Sequence, residues 1–225
     1  MRKPIIVAIS LFAILLLAAD SFAGLKRVPR RYNVTEFYGG LSEPVGSYDR
    51  IGPLDPFTDE RGRVYDIDAT DLYDNTWHAG LTLGQLRNRN MYYGIGFQYT
   101  RVKPKNPVVT EEVVWTFLND PEAHQIDFTA TFNYLFTHIE SAPIAPFVGI
   151  TGTAGFTLVK FPGLDNESSL GTSIAVNGGM ELKFWKDSQS GAFATFVPQT
   201  SYQFLNSGDR PMHWNIGAGL KYYFR

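Results

Sequence analysis

The four histidines are the side chains best suited to acid–base chemistry in a chain that contains no cysteine. A hydrolytic site needs a nucleophile such as serine, a histidine base and a carboxylate that orients the histidine. His213 has no serine two positions on, and neither Ser201 nor Ser207 makes a recognisable motif with it. No Gly-rich phosphate loop, nucleophile elbow or zinc spacing is present. We therefore expect no catalytic site, cofactor or metal. The other histidines are isolated in the sequence: His78, His124 and His138.

Polar residues that recur on one face of alternating segments could form a charged cluster inside a barrel. One hypothesis is a gated, narrow conduit in which Glu181 or Asp127 exchanges partners with Lys183 or Lys221. The alternative is a static polar plug, which we favour because eight strands leave room only for their own side chains. The predicted lumen cluster consists of His78, Gln98, Asp127, Asn177, Glu181, Lys183 and Lys221.

An acidic segment, residues 42–74, contains nine of the chain's 22 acidic residues. The run YDIDATD at residues 65–71 could supply oxygen ligands to a divalent cation. Its spacing is not that of an EF-hand loop, so we favour a solvated acidic loop.

Period-two alternation of apolar and polar residues is the main structural pattern, and it predicts strands. In the last segment, MHWNIGAGLKYYFR, Trp214 to Phe224 alternate with mostly small or polar residues. The facing of the first segment is uncertain. The seventh contains Pro198 and breaks parity around Phe196-Val197, which predicts a bulge. The eight segments are Val34–Leu41, Asn75–Gln85, Met91–Val102, His124–Thr137, Phe147–Val159, Ser173–Phe184, Ala192–Phe204 and Met212–Arg225.

The N-terminal residues and the connections suggest where these strands lie. Residues 1–23 have a basic start, an apolar run and small residues at the end, and this predicts a cleaved secretory signal peptide. Residues 24–33 form a basic periplasmic leader, and residues 34–225 form the barrel. Connections that are long or polar alternate with shorter ones along the chain. Extracellular loops and periplasmic turns alternate in the same way in transmembrane barrels.

The overall composition excludes some functions. A net charge of −2 gives no electrostatic case for nucleic acid. Mean hydropathy is −0.14, which still fits a membrane barrel because half of each strand is polar. An eight-stranded antiparallel up-and-down transmembrane β-barrel is the predicted fold.

From about Val34 to its end, the chain resembles the OmpA/OmpX-type small outer-membrane β-barrels. The signal peptide, the alternating strands and the terminal GLKYYF carry this resemblance. It implies an outer-membrane location, contact with membrane lipid and lipopolysaccharide, and recognition of a terminal aromatic by the barrel-assembly machinery. Arg225 after Phe224 departs from that ending. The implied assembly signal is Leu220, Tyr222 and Phe224.

The role that we expect is structural or surface interaction. The alternatives are a lipid A-modifying outer-membrane enzyme, a narrow solute channel, and a soluble lipocalin-type barrel with its apolar faces turned inward. The oligomeric state is left open by the sequence.

Overall fold

A computed structural model describes residues 31–48, 67–109, 114–116, 122–160, 167–207 and 212–225. Each long strand pairs antiparallel with the next, and the last pairs with the first, so the sheet closes into a barrel. This confirms the predicted eight-stranded fold. The strands are β1 (Tyr32–Val45), β2 (Thr76–Arg87), β3 (Met91–Pro104), β4 (Glu122–Leu135), β5 (Ile144–Lys160), β6 (Glu167–Lys186), β7 (Phe193–Ser207) and β8 (Met212–Phe224).

The remaining described elements are short and lie at one end of the barrel. Two small hairpins pair Ser47–Tyr48 with Ile67–Asp68 and Val108–Val109 with Val114–Trp115. A four-residue helix, Ala69–Leu72, is followed by the short strand Tyr73–Asp74, which pairs antiparallel with the end of β3. In the parts of the chain described here, no helix is long and apolar enough to cross a membrane.

Several predictions fall on residues outside the described ranges. The signal peptide at residues 1–23 and nearly all of the basic leader at residues 24–33 are among them. Residues 49–66 of the acidic segment, including Tyr65 and Asp66 of YDIDATD, also lie outside the described residues. These assignments stay predictions.

The exterior of the barrel is apolar, and the interior is polar except toward the end of the barrel that carries the short turns. On β4, the side chain of Phe128 is 61% exposed, whereas Asp127 is fully buried, and Phe136, directly after β4, is 60% exposed. On β1, whose facing the sequence left uncertain, Phe37 and Leu41 point outward and Glu36 inward. A soluble barrel would bury the aromatic stripe. The lipocalin-type alternative is therefore wrong, and the fold is that of a transmembrane β-barrel.

Strand β7 differs from the expectation. Val197 is buried and Phe196 is exposed, so the alternation continues through this point without a break. Pro198 lies on the outer face, paired with Ala218 of β8. The shifts in register between β6 and β7 lie elsewhere, between Ile174 and Ala175 and between Lys183 and Trp185 of β6. Val197 appeared out of phase in the sequence because the lumen is apolar at its level.

The short turns lie at the same end as Tyr32 and Arg225, and we call it the turn side. They span residues 88–90, 136–143 and 187–192. Asn88 and Arg89 have φ angles of 52° and 67° in the first turn, and Gly191 has 72° in the third. We call the opposite end the loop side. There β5 continues to Lys160 and β6 begins at Glu167, so the connection between them is shorter than the sequence predicted.

Candidate functional site

The turn-side part of the lumen is filled by an apolar plug. Its aromatic rings pack closely: Phe193 stacks on Tyr223 at 4.3 Å between centroids, and Tyr32 meets Phe193 edge-on at 5.2 Å. Inward positions in this part of the strands carry large apolar residues, and Ile139 of the second turn adds to them. The plug comprises Tyr32, Val34, Leu86, Tyr92, Leu135, Ile139, Ala145, Phe147, Phe193, Val197 and Tyr223.

A charged triad, Glu36, Glu181 and Lys221, lies directly on the plug. The Lys221 Nζ is 2.9 Å from Glu181 Oε1 and 3.6 Å from Glu36 Oε2. All three residues are at least nine-tenths buried, with Glu36 5% exposed and the others 1% or less. Because a buried charge is costly unless it is paired and hydrogen-bonded, the three side chains hold one another in place.

Hydroxyl groups complete the hydrogen bonding of the two carboxylates. Tyr223 donates its hydroxyl hydrogen to Glu181, and Thr195 donates to the same carboxylate at 3.2 Å. Tyr92 donates to Glu36 at 3.4 Å, and its ring lies 4.3 Å from the Lys221 Nζ. These donors offset the excess of carboxylates over ammonium groups. The triad and the plug therefore form one continuous blockage of the lumen.

A polar chamber of about 60 Å³ lies on the loop side of the triad. This volume is enough for a few water molecules and too small for an ordinary solute. Tyr38 donates to Gln98 at 3.3 Å, and Asn177 donates to Asn133 at 2.5 Å. Gly80 lies under the Tyr38 ring, where an added Cβ would be 2.3 Å from the ring Cζ. The chamber is lined by Glu36, Tyr38, His78, Thr82, Gln98, Thr131, Thr151, Thr153, Ala175, Asn177, Gln199, Thr200, Ser201, Gln203, Asn215 and Gly217.

The predicted lumen residues are distributed over several levels. Glu181 and Lys221 meet in the triad, whereas His78, Gln98 and Asn177 line the chamber. Asp127 accepts a hydrogen bond from Gln125 at 3.1 Å. Lys183 lies at the turn side, where its Nζ donates to the carbonyls of Ile139 and Glu140 at 2.9 and 3.0 Å. The structure therefore does not join the seven residues into a single cluster.

The groups that complete the triad were not predicted from the sequence. Glu36 was missed because the facing of β1 was left open. Tyr223 shares the parity of Lys221, and this was the available signal for it. Tyr92 and Thr195 each lie on the inward parity of their strands, but an aromatic and a threonine do not by themselves indicate a charged partner.

A serine and a histidine meet at the loop side, although they form no recognisable motif in the sequence. The Ser42 Oγ is 3.1 Å from His213 Nδ1 and donates to Asn215 Oδ1 at 2.6 Å. The backbone amide of His213 donates to Gln203 Oε1 at 2.9 Å. Ser42 and His213 are 0% and 1% exposed and face the lumen, away from the outer surface where lipid would lie. This geometry indicates a structural hydrogen-bond network.

The predicted assembly signal and Arg225 lie at the end of the last strand. Leu220, Tyr222 and Phe224 all face outward. Arg225 follows them and its Nη2 donates to the Tyr32 hydroxyl at 3.2 Å. Among the described residues, no three His, Cys, Asp or Glu side chains converge in a way that could hold a metal ion.

Together, the closed strand pairing, the apolar exterior and the blocked lumen define the class: a small transmembrane β-barrel whose lumen is closed by its own side chains. The chain has the architecture of the OmpA/OmpX-type small barrels.

No family model matches the chain, and no curated protein matches it. Among solved structures, it is similar to Neisserial surface protein A (NspA), with 12% identity, a TM-score of 0.47, and 85% of this chain and 95% of that chain covered. It is also similar to Ail, the attachment invasion locus protein of Yersinia pestis, with 13% identity, a TM-score of 0.39, and 86% and 98% covered. The class stated above rests on the strand pairing and side-chain exposure of this chain itself.

Proposed function

We propose that the protein is a non-conducting outer-membrane barrel with a structural or surface-interaction role. The observation that carries this proposal is the closed lumen. The apolar plug fills the turn side, and the Glu36–Glu181–Lys221 triad lies on it with all three charges buried. A solute would have to displace both layers. The role is therefore assigned to the outer surface and to the loop side.

The proposed orientation places the short turns in the periplasm and the longer connections outside the cell. Transmembrane barrels have short periplasmic turns and longer extracellular loops, with aromatic residues at both interfaces. Here Trp77 lies against Tyr99 at 5.1 Å near the loop side, and Trp185 stacks on Tyr222 at 6.1 Å near the turn side. Export by the predicted signal peptide, residues 1–23, and assembly through Leu220, Tyr222 and Phe224 are part of this proposal.

A polar group on the outer face is consistent with contact with lipopolysaccharide. Tyr99 hydrogen-bonds His124 Nδ1 at 2.7 Å, and His124 Nε2 is 3.8 Å from Glu122. Arg101 lies 3.4 Å from the same carboxylate. These groups project from the outer surface at the level of the loop-side aromatic belt, where the headgroups of an outer leaflet would lie. Membrane lipid and lipopolysaccharide are therefore the proposed surroundings.

Planar-bilayer conductance tests the proposal. The purified protein should insert without stable current steps, while a gel should show different migration of boiled and unboiled samples, which indicates a folded barrel. The matched comparison is Lys221→Ala, which removes the central cation of the triad. Steady current steps from the wild-type protein would support the narrow channel and contradict this proposal.

A lipid A-modifying enzyme is the second candidate that the sequence left open. The Ser42–His213 pair is the arrangement that comes nearest to it, but the pair is buried in the lumen. We expect no change in lipid A acylation, by mass analysis, after lipopolysaccharide is incubated with the protein in detergent. A change that is lost in Ser42→Ala would overturn the assignment of a non-enzymatic role.

A further inference from the structure

A concavity of about 390 Å³ lies beneath the apolar plug, on the turn side of the barrel. All three short turns and both described ends of the chain contribute to its lining. Its volume falls in the range of sites that bind small ligands. The side chains that matter for its chemistry are Tyr32, Arg89, His138, Glu140, Lys186 and Arg225.

The concavity carries an excess of positive charge. Arg89, Lys186 and Arg225 line it together with one carboxylate, Glu140. A second carboxylate, that of Asp187, accepts hydrogen bonds within its own turn, from the Gln189 amide at 3.0 Å and the Ser190 amide at 3.1 Å. Three cations therefore face two carboxylates, which leaves a net positive charge at this end of the barrel.

One of the cations is held in position by the fold. The Arg225 guanidinium lies over the Tyr32 ring at 5.4 Å and donates to its hydroxyl at 3.2 Å. The carboxylate of Glu140 also interacts with it electrostatically. Arg89 lies in the first turn, where its backbone φ is 67°. A guanidinium held like that of Arg225 can form paired hydrogen bonds to a carboxylate.

We propose that this basic concavity binds an acidic peptide segment of a periplasmic partner. The inference rests on the proposed function, because the turn side must face the periplasm for such a partner to reach it. Arg89, Lys186 and Arg225 come from three separate parts of the chain. A peptide presents several carboxylates and can offer one to each cation, whereas a small anion offers a single charged group.

The test uses the full protein in neutral detergent and fluorescence anisotropy with a fluorescein-labelled hexaglutamate peptide. We expect binding that weakens as salt rises, because the contacts are exposed charge pairs. Arg89→Gln/Arg225→Gln should weaken binding roughly tenfold, since each exposed pair contributes a factor of up to about five. The matched control is Arg101→Gln at the loop side, which should bind as the wild type does. A labelled hexaglutamine peptide should not bind.

Two results would overturn the inference: equal binding of hexaglutamate by the double variant and the wild type, or equal binding of the two peptides. Competition by inorganic phosphate at the same concentration as unlabelled hexaglutamate would also overturn it, because a single anion would then suffice. The same sample is run on a gel with and without boiling. Loss of the migration difference counts against the barrel and the proposed function, whereas lost binding with normal migration counts against this inference alone.

Discussion

The two halves of the lumen are closed by different kinds of contact. The turn-side half contains the apolar plug and the Glu36–Glu181–Lys221 triad, whose side chains are buried and contact one another. The loop-side half contains the polar chamber, in which amides and hydroxyls surround a space of about 60 Å³. The turn-side half therefore blocks passage, whereas the loop-side half can remain hydrated.

The difference also concerns energetics. Charged side chains in the triad are almost completely buried, so each depends on its partners. Polar groups in the chamber, such as Asn177 and Gln98, are neutral and can exchange a lost partner for water. We expect substitutions in the turn-side half to cost more stability than substitutions of the same kind in the chamber.

The largest effect should come from Lys221→Met. It leaves Glu36 and Glu181 buried without their cation, and breaking a buried ion pair costs about 3–5 kcal/mol. The measurement is the urea midpoint of unfolding in detergent, followed by tryptophan fluorescence. Lys186→Met, at an exposed position on the turn side, is the control and should stay near the wild type. A loss below about 1 kcal/mol for Lys221→Met would show that the triad is not the main constraint in the lumen.

Phe193→Ala should have the next largest effect. It removes a buried ring that stacks on Tyr223 and meets Tyr32, and such a truncation costs about 3 kcal/mol. Asn177→Ala in the chamber is the comparison and should cost about 1 kcal/mol, the net value of a typical hydrogen bond. Both are read from the same urea titration. Equal losses in the two variants would remove the energetic distinction between the halves.

Gly80→Ala tests how closely the chamber wall is packed. An added Cβ would lie 2.3 Å from the Tyr38 ring, so the ring must move and its hydrogen bond to Gln98 must change. We expect a loss of about 2 kcal/mol, as for other overpacked sites. Gly152→Ala is a matched control, because a Cβ there meets no atom within 4 Å. If both variants unfold at the wild-type urea midpoint, the chamber is looser than its contacts indicate.

The sequence predicted the strands and their outward faces because period-two alternation follows directly from strand geometry. The prediction of a break in alternation at Val197 was wrong because it assumed a polar lumen along the whole barrel, whereas the turn-side lumen is apolar. The sequence placed Glu181 and Lys221 on the inward face but could not show that they meet. That contact depends on which strands are neighbours and on their register, and β6 and β8 are separated by β7. Glu36 depends on the closure of β1 on β8, a long-range pairing that no local pattern shows.

The smallest expected effect on stability is that of Asp187, which lies in the third turn and outside the lumen. Hydrogen bonds from the Ser190 hydroxyl and from the amides of Gln189 and Ser190 lower the pKa of the Asp187 carboxyl below its ordinary value of 3.8. A lowered pKa in the folded state adds stability above the unfolded-state pKa, and this is lost as pH falls through the folded-state value. The urea midpoint of the wild type should therefore fall slightly more between pH 7 and pH 3 than that of Asp187→Asn. The shift should be small because the group is exposed and its interactions are screened by water. An identical fall in both proteins would mean that ionisation of Asp187 adds nothing measurable to the stability of the fold.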